Sequence, residues 1–184
     1  MKSARLEGMA MSKTREKFPL SPKKIIKKTL GATIAWIFVI GFFGAFLSLV
    51  VGAALNEKGM GWGFVGILNL GILSLLAVIT LVNYLYQKWY FDFYYYELGD
   101  DYIIIRKGPI TPKEITIPYE RIQDVYVDQD LLDRIFGLYD VHLSSATISS
   151  GMEAHIDGVA KPAADGLREM LLKTVGERIS KKKT

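Results

Sequence analysis

The chain contains no cysteine, so a disulfide framework, a thiol nucleophile and a cysteine-ligated metal are all excluded. Histidine is almost absent, with two in 184 residues. His142 and His155 fall in neighbouring expected strands and could approach each other, but two imidazoles without a third ligand do not make a zinc site. There is no Gly-x-Ser-x-Gly elbow, no Walker loop and no His-Glu-x-x-His helix. Ser144, Ser145, Ser149 and Ser150 lie near His142, yet proximity along the chain does not make a triad. The catalytic inventory is therefore that of a non-enzymatic protein without a cofactor. The absence that constrains most is of charge. Thr29–Leu55 and Gly59–Gln87 carry none, and only Asn56, Glu57 and Lys58 separate them.

These stretches contain 27 and 29 residues; at about 1.5 Å per helical residue each reaches about 40 Å, beyond the roughly 30 Å hydrocarbon core of a bilayer. A chain of this size cannot wrap two uncharged helices of that length on every side, so a soluble core pair is excluded. The expectation is an antiparallel transmembrane hairpin over residues 29–87, with spans at about 30–55 and 60–86. Trp36 and Trp62, with Tyr84, Tyr86, Trp89, Tyr90 and Phe91, suit interfacial aromatic belts. Small residues recur along the first span (Gly41, Gly44, Ala45, Ser48, Gly52) and the second (Gly63, Gly66, Gly71). Close helix packing would use them, within the hairpin, between copies or against a membrane-protein partner. Asn69 is costly facing lipid and should face a helix, and the lack of buried charge argues against a transport path.

Nine Lys and Arg against two Glu occupy residues 1–28, whereas the linker has only Lys58. The positive-inside rule then puts a basic N-terminal segment, residues 1–28, and everything from Lys88 onward in the cytoplasm, a two-span cell-membrane protein with both termini inside. The net charge of +4 is not uniform, since residues 1–28 contribute +7 and residues 88–184 contribute −3. The basic balance thus belongs to a membrane-flanking tail and does not point to nucleic acid. Lys23, Lys24, Lys27 and Lys28 are the candidate contact with anionic lipid, each worth about 1 kcal/mol at an anionic leaflet. Setting topology alone would need the same residues.

After Lys88 the period changes. Phe91, Phe93 and Tyr95 alternate with Asp92, Tyr94 and Tyr96, which predicts a strand leaving the second helix. Further strands are expected at Tyr102–Lys107, Glu114–Pro118, Ile122–Val127, Tyr139–Ala146 and Ala154–Val159, with a loop at Gly108–Pro112 and a joint at Ser149–Gly151. Leu131–Phe136 reads as a helical turn closed by Gly137. Leu167, Met170, Leu171, Val175 and Ile179 share one face of a last helix, with Pro162 near its start and Asp165 in its first turn. Residues 88–184 are thus an α+β domain of short antiparallel strands closed by one helix.

The run Ile117-Pro118-Tyr119-Glu120-Arg121-Ile122-Gln123-Asp124-Val125, followed by Leu131-Leu132-Asp133-Arg134-Ile135-Phe136-Gly137-Leu138, resembles the bacterial pleckstrin-homology-like, membrane-flanked domain family. Tyr102–Gly108, Ser144-Ser145-Ala146 and Ile156–Val159 match as well, and two spans before the domain complete a likeness over about residues 30–180. The resemblance implies a PH-like antiparallel sheet or barrel with a C-terminal helix. It also implies a membrane-anchored binding or scaffolding module without enzymatic activity. Its motif residues are Pro118, Arg121, Gln123, Arg134 and Gly137.

Arg121 and Gln123 fit either a partner contact or a fold-specifying role in which they satisfy backbone or carboxylate groups. Gly137 reads as a positive-φ cap, and Arg134 has Asp130 and Asp133 at helical spacing. Asp128, Asp130, Asp133 and Asp140 lack the glycine turn and terminal Glu of a calcium loop and read as a solvated acidic edge. Arg106, Lys107 and Lys113 flank a loop position where PH domains bind phosphoinositides, a weak signal here. The leading expectation is a module that scaffolds a protein partner at the cytoplasmic face. The alternatives are a module that reads anionic headgroups and, third, a membrane-surface enzyme. Because the second span leads almost directly into the first strand, little flexible tether is expected between them.

Overall fold

The computed structural model describes residues 12–56, 63–145 and 154–182. In chain order its elements are α1 (Lys13–Lys17), α2 (Lys23–Asn56), α3 (Gly63–Asp92), β1 (Tyr95–Leu98), β2 (Tyr102–Lys107), β3 (Lys113–Pro118), a 3-10 turn (Tyr119–Arg121), β4 (Ile122–Asp128), α4 (Leu131–Phe136), β5 (Leu138–Ser145), β6 (Ala154–Ala160) and α5 (Lys161–Lys182). They form two compact units. One is Lys28–Lys88; the other joins the described residues up to Lys27 with those from Trp89 onward.

The Lys28–Lys88 unit is an antiparallel helix pair. Pro22 stands just before α2, and neither helix contains a proline, so both run unbroken. Both are long and apolar enough to cross a membrane. Their large side chains face outward, Phe38 and Leu49 among them. One polar contact crosses the pair, with Ser48 Oγ 3.2 Å from Asn69 Oδ1, while Asn69 Nδ2 donates to Val65 O of its own helix at 2.8 Å. Asn69 thus reaches the neighbouring helix through Ser48, although its side chain stays exposed at the edge of the pair. At Gly44 a side chain would come within 3.1 Å of Ile72, so one of the small residues is used for close approach. Gly41, Gly66 and Gly71 have open space where a side chain would be.

In the other unit, six strands make two three-stranded antiparallel sheets, β1-β2-β3 and β4-β5-β6. Alternation does what the pattern implies: Ile103 and Ile105 of β2 are fully buried, and so are Val141 and Leu143 of β5. The C-terminal helix α5 packs Ala164, Leu167 and Leu171 into the same core. Three tyrosines are buried there, and each hydroxyl finds a carbonyl: Tyr94 that of His155 at 2.9 Å, Tyr96 that of Phe18, Tyr119 that of Gly99 at 2.9 Å. Burial raises all three phenols, Tyr119 to about 12, so they act as neutral donors. Gly137 closes α4 in the left-handed region with φ 67°, as its place after Phe136 implied.

Three boundaries differ from expectation. The first strand begins at Tyr95, because α3 continues through Asp92 and its last turn closes with Phe93 N donating to Trp89 O at 3.2 Å. Tyr90 and Phe91 pack on the core from that helical end, so the aromatic run serves a helix first and a strand second. Asp165 is the fifth residue of α5, beyond its first turn. The largest difference is that the basic N-terminal segment is no separate tail, since its described part folds into the sheet domain. Glu57, Lys58, Ala146, the Ser149–Gly151 joint and Lys183 lie outside the described residues, as do the side chains of Ile179, Lys181 and Lys182.

Candidate interaction surface

The N-terminal segment enters the domain through paired polar contacts and two glycines. Ser12 caps α1 and donates its hydroxyl to Tyr96 O. Thr14 Oγ1 donates to Glu97 Oε1 and accepts from Leu98 N, both at 3.1 Å. Arg15 gathers carbonyls at and just past the end of α3, donating to Phe91 O at 3.0 Å and to Tyr94 O at 2.5 Å. Leu20 bridges Val159 of β6, and Ser21 N donates to Gly158 O at 2.8 Å. A side chain at Gly166 would collide with the Phe18 ring at 2.4 Å. At Gly158 it would meet Lys24 at 2.7 Å on a backbone with φ 80°.

That leaves the four candidate lysines in unlike positions. Lys24 is buried. Its ammonium lies 2.7 Å from Asp157 Oδ1, donates to Asp157 O at 3.1 Å and sits 3.9 Å from the centroid of the Tyr94 ring. Lys107 reaches the same carboxylate at 4.0 Å. Lys27 is buried as well, with its ammonium 2.5 Å from Asp133 Oδ1 and 2.8 Å from Asp130 Oδ2. Those two aspartates also form the capping box of α4. Burial raises the Asp130 carboxyl, but the hydrogen bonds from Lys27 and Asp133 together with the nearby ammonium charge outweigh it, and the group ends below the ordinary carboxylate range. Lys23 is exposed and donates to Phe136 O at 3.3 Å, and Lys28 is exposed. Lys24 and Lys27 are thus engaged by carboxylates inside the domain, while Lys23 and Lys28 keep outward positions.

Among the motif residues, Pro118 ends β3 and precedes the 3-10 turn, in which Tyr119 is buried and Arg121 exposed. Ile122 and Val125 point into the core, whereas Gln123, Asp124, Tyr126 and Asp128 are exposed along β4, which carries a bulge between Ile122 and Asp124. Arg121 and Gln123 make no side-chain hydrogen bond among the described residues. Arg134 is exposed, and the acids at helical spacing from it go to Lys27 instead.

Beside Arg121 and Gln123 the β4-β5-β6 sheet carries an aromatic ladder. Tyr126 pairs with His142 and His142 with His155 in register. Their rings stack at centroid distances of 4.8 and 5.3 Å. Asp128 Oδ1 lies 3.1 Å from His142 Nε2, and Asp140 Oδ1 accepts from Gly158 N at 2.7 Å. Asp128, Asp140 and His142 bring ligand atoms within 4.8 Å of one another, but all three already hold internal partners, the pattern of a structural network. Burial pushes the Asp140 carboxyl up despite the Gly158 hydrogen bond. The acidic edge expected over Asp128–Asp140 is therefore split between Lys27 on one side and His142 and Gly158 on the other.

The residues missed from sequence are Asp157 and Asp133 as interior acceptors. The Asp130-x-x-Asp133 spacing before an apolar turn is a capping-box signal that was available. Asp157 gave none, because Lys24 is 133 positions away along the chain.

Two short antiparallel sheets closed by a C-terminal helix, with a carboxylate-rich strand-to-helix corner and no convergent triad among the described residues, define a PH-like module. The family model for the bacterial PH domain matches residues 33–175, and the chain belongs to that family. The match begins within α2, so it takes in both long apolar helices as well as the sheets. No curated protein and no solved structure matches the chain.

Proposed function

We propose that the protein is a non-enzymatic, membrane-anchored PH-like module that holds a protein partner at the cytoplasmic face. Membership of the bacterial PH domain family supports a binding or scaffolding role in general. The outward-facing apolar side chains of α2 and α3 support the anchor, and the nine basic residues before Thr29 support the cytoplasmic orientation. What favours a protein partner over anionic headgroups is the fate of the lysines. Two of the four are buried against Asp157, Asp130 and Asp133, and a cation already neutralised by a carboxylate adds little to lipid affinity. The exposed row Arg121, Gln123 and Tyr126 offers mixed polar and aromatic contacts of the kind that anchor protein interfaces.

Photo-crosslinking from Gln123 in living cells tests this reading. A discrete protein adduct, lost when Arg121 and Tyr126 are replaced by alanine, is the expected result. Adducts to lipid alone would overturn it in favour of headgroup reading. A reporter fused after Thr184 is expected to be active only in the cytoplasm, and an active external reporter would reverse the orientation.

A further inference from the structure

We propose that two copies of the chain pair in the membrane along α3, with their Asn69 amides meeting across the twofold axis; this rests on the membrane reading above and on the Lys28–Lys88 unit alone. Asn69 stands inside the charge-free run Gly59–Gln87, on the exposed edge of the helix pair. Its side-chain amide offers two N–H donors and two acceptor lone pairs. One donor goes to Val65 O and one lone pair takes the Ser48 hydroxyl. Among the described residues the amide makes no other bond. One N–H and one lone pair are left where hydrocarbon offers no partner. A second copy answers both at once. Copies inserted with the same topology are related by an axis along the membrane normal, so α3 meets α3 in parallel and each Asn69 finds the other at its own depth. An amide is donor and acceptor together, and two of them exchange these bonds reciprocally, whereas an acyl chain satisfies neither.

The surface beside Asn69 has room for another helix. Gly66, Leu73, Ala77 and Tyr84 share one exposed row of α3 at helical spacing. A side chain at Gly66 would meet nothing within 4 Å, so the room this glycine leaves lies outside the hairpin. Further along the row, Leu73, Ala77, Thr80 and Leu81, with Thr29 of α2, line a groove of about 540 Å³. The exposed row of α2 is different in kind. Phe38, Phe42, Phe46 and Leu49 stand out from it, and side chains of that size hold a second backbone at a distance. Small residues beside an amide on α3, against large apolar ones on α2, separate a helix-binding row from a lipid-facing one.

The cysteine-free chain allows single-cysteine crosslinking without background. Leu73→Cys and Ala77→Cys on the row, and Leu75→Cys, which helical spacing puts on the far side of α3, are placed one at a time in the full chain. Each is reconstituted at high lipid excess in vesicles of phosphatidylcholine and phosphatidylglycerol and oxidised with copper phenanthroline. Disulfide-linked dimers are expected at Leu73 and Ala77 in several-fold higher yield than at Leu75. Asn69→Leu is expected to lower the yield at Leu73 several-fold, and Asn69→Gln, which keeps the amide, to restore most of it. Equal yields at the three positions, or a Leu73 yield that Asn69→Leu leaves unchanged, would overturn the pairing. A membrane-impermeant maleimide then separates the two levels. Monomers whose cysteines resist it would overturn the dimer while the membrane reading stands, and cysteines that all react with it would overturn both.

Discussion

The ammonium of Lys24 and the carboxylate of Asp157 meet at 2.7 Å inside the domain, under the ring of Tyr94. One comes from the segment before the first apolar helix and the other from the last strand, so this contact joins the two ends of the chain's fold. It also redefines four lysines that read, along the chain, as one basic cluster.

Breaking that pair from one side leaves a charge without a partner. Asp157→Ala is expected to destabilise the domain by about 3–5 kcal/mol, the range for one orphaned member of a buried pair. Replacing both partners by apolar residues, Lys24→Met with Asp157→Leu, is expected to recover much of the loss. Thermal unfolding of the detergent-solubilised chain, followed by near-ultraviolet circular dichroism, checks both. A double variant no more stable than the single one would show that the pair is net stabilising.

Two positive-φ glycines separate backbone strain from close approach. Gly137→Ala meets open space and is expected to cost about 1–2 kcal/mol from the left-handed backbone alone. Gly158→Ala has φ 80° and also meets the Lys24 side chain at 2.7 Å, so it should cost clearly more. Equal losses in the same unfolding measurement would mean that Lys24 moves aside freely.

The carboxylates give stability a two-part dependence on pH. Asp130 is depressed in the folded state, so its contribution is present above the unfolded value and is lost as pH falls through the folded one. Because Asp130 is largely exposed, solvent screening keeps that part small. Asp140 is raised by burial. Between its unfolded and folded values the native state holds the extra proton, so stability declines there as pH rises. Melting temperatures measured from about pH 3 to pH 7 are expected to lose the acid-side fall in Asp130→Asn and the opposing slope in Asp140→Asn.

Within the helix pair, Asn69→Leu removes the contact with Ser48 and is expected to weaken the pair by about 0.6 kcal/mol, the average for such bonds between membrane helices. Gly44→Leu should cost more, since even a β-carbon there approaches Ile72 to 3.1 Å. Unfolding by sodium dodecyl sulfate titration compares them, and a Gly44→Leu variant as stable as Asn69→Leu would rule out close approach at this crossing.

Much of this architecture was readable residue by residue. Ile103 and Ile105 alternate with their neighbours and form β2. Gly137 follows an apolar turn and caps it. Leu167 and Leu171 recur at helical spacing and face the core. These are local or periodic signals, and the core they build is the sink for apolar area that any fold of this chain needs. The candidate surface was legible only in part. Gln123 and Arg121 are exposed where the motif puts them, but Arg134 does not take the acids spaced for it.

The sequence by itself determined the two long apolar helices, the order and period of nearly all the strands, and the class of domain, because each follows from spacing within a few residues. Only the tertiary structure decided what the basic segment does. A lysine near a membrane span and a lysine buried against an aspartate look the same along the chain. Lys24 and Lys27 became interior groups because β6 and α4 bring Asp157 and Asp133 to them, and a buried ammonium is stable only where a carboxylate is held in place to meet it.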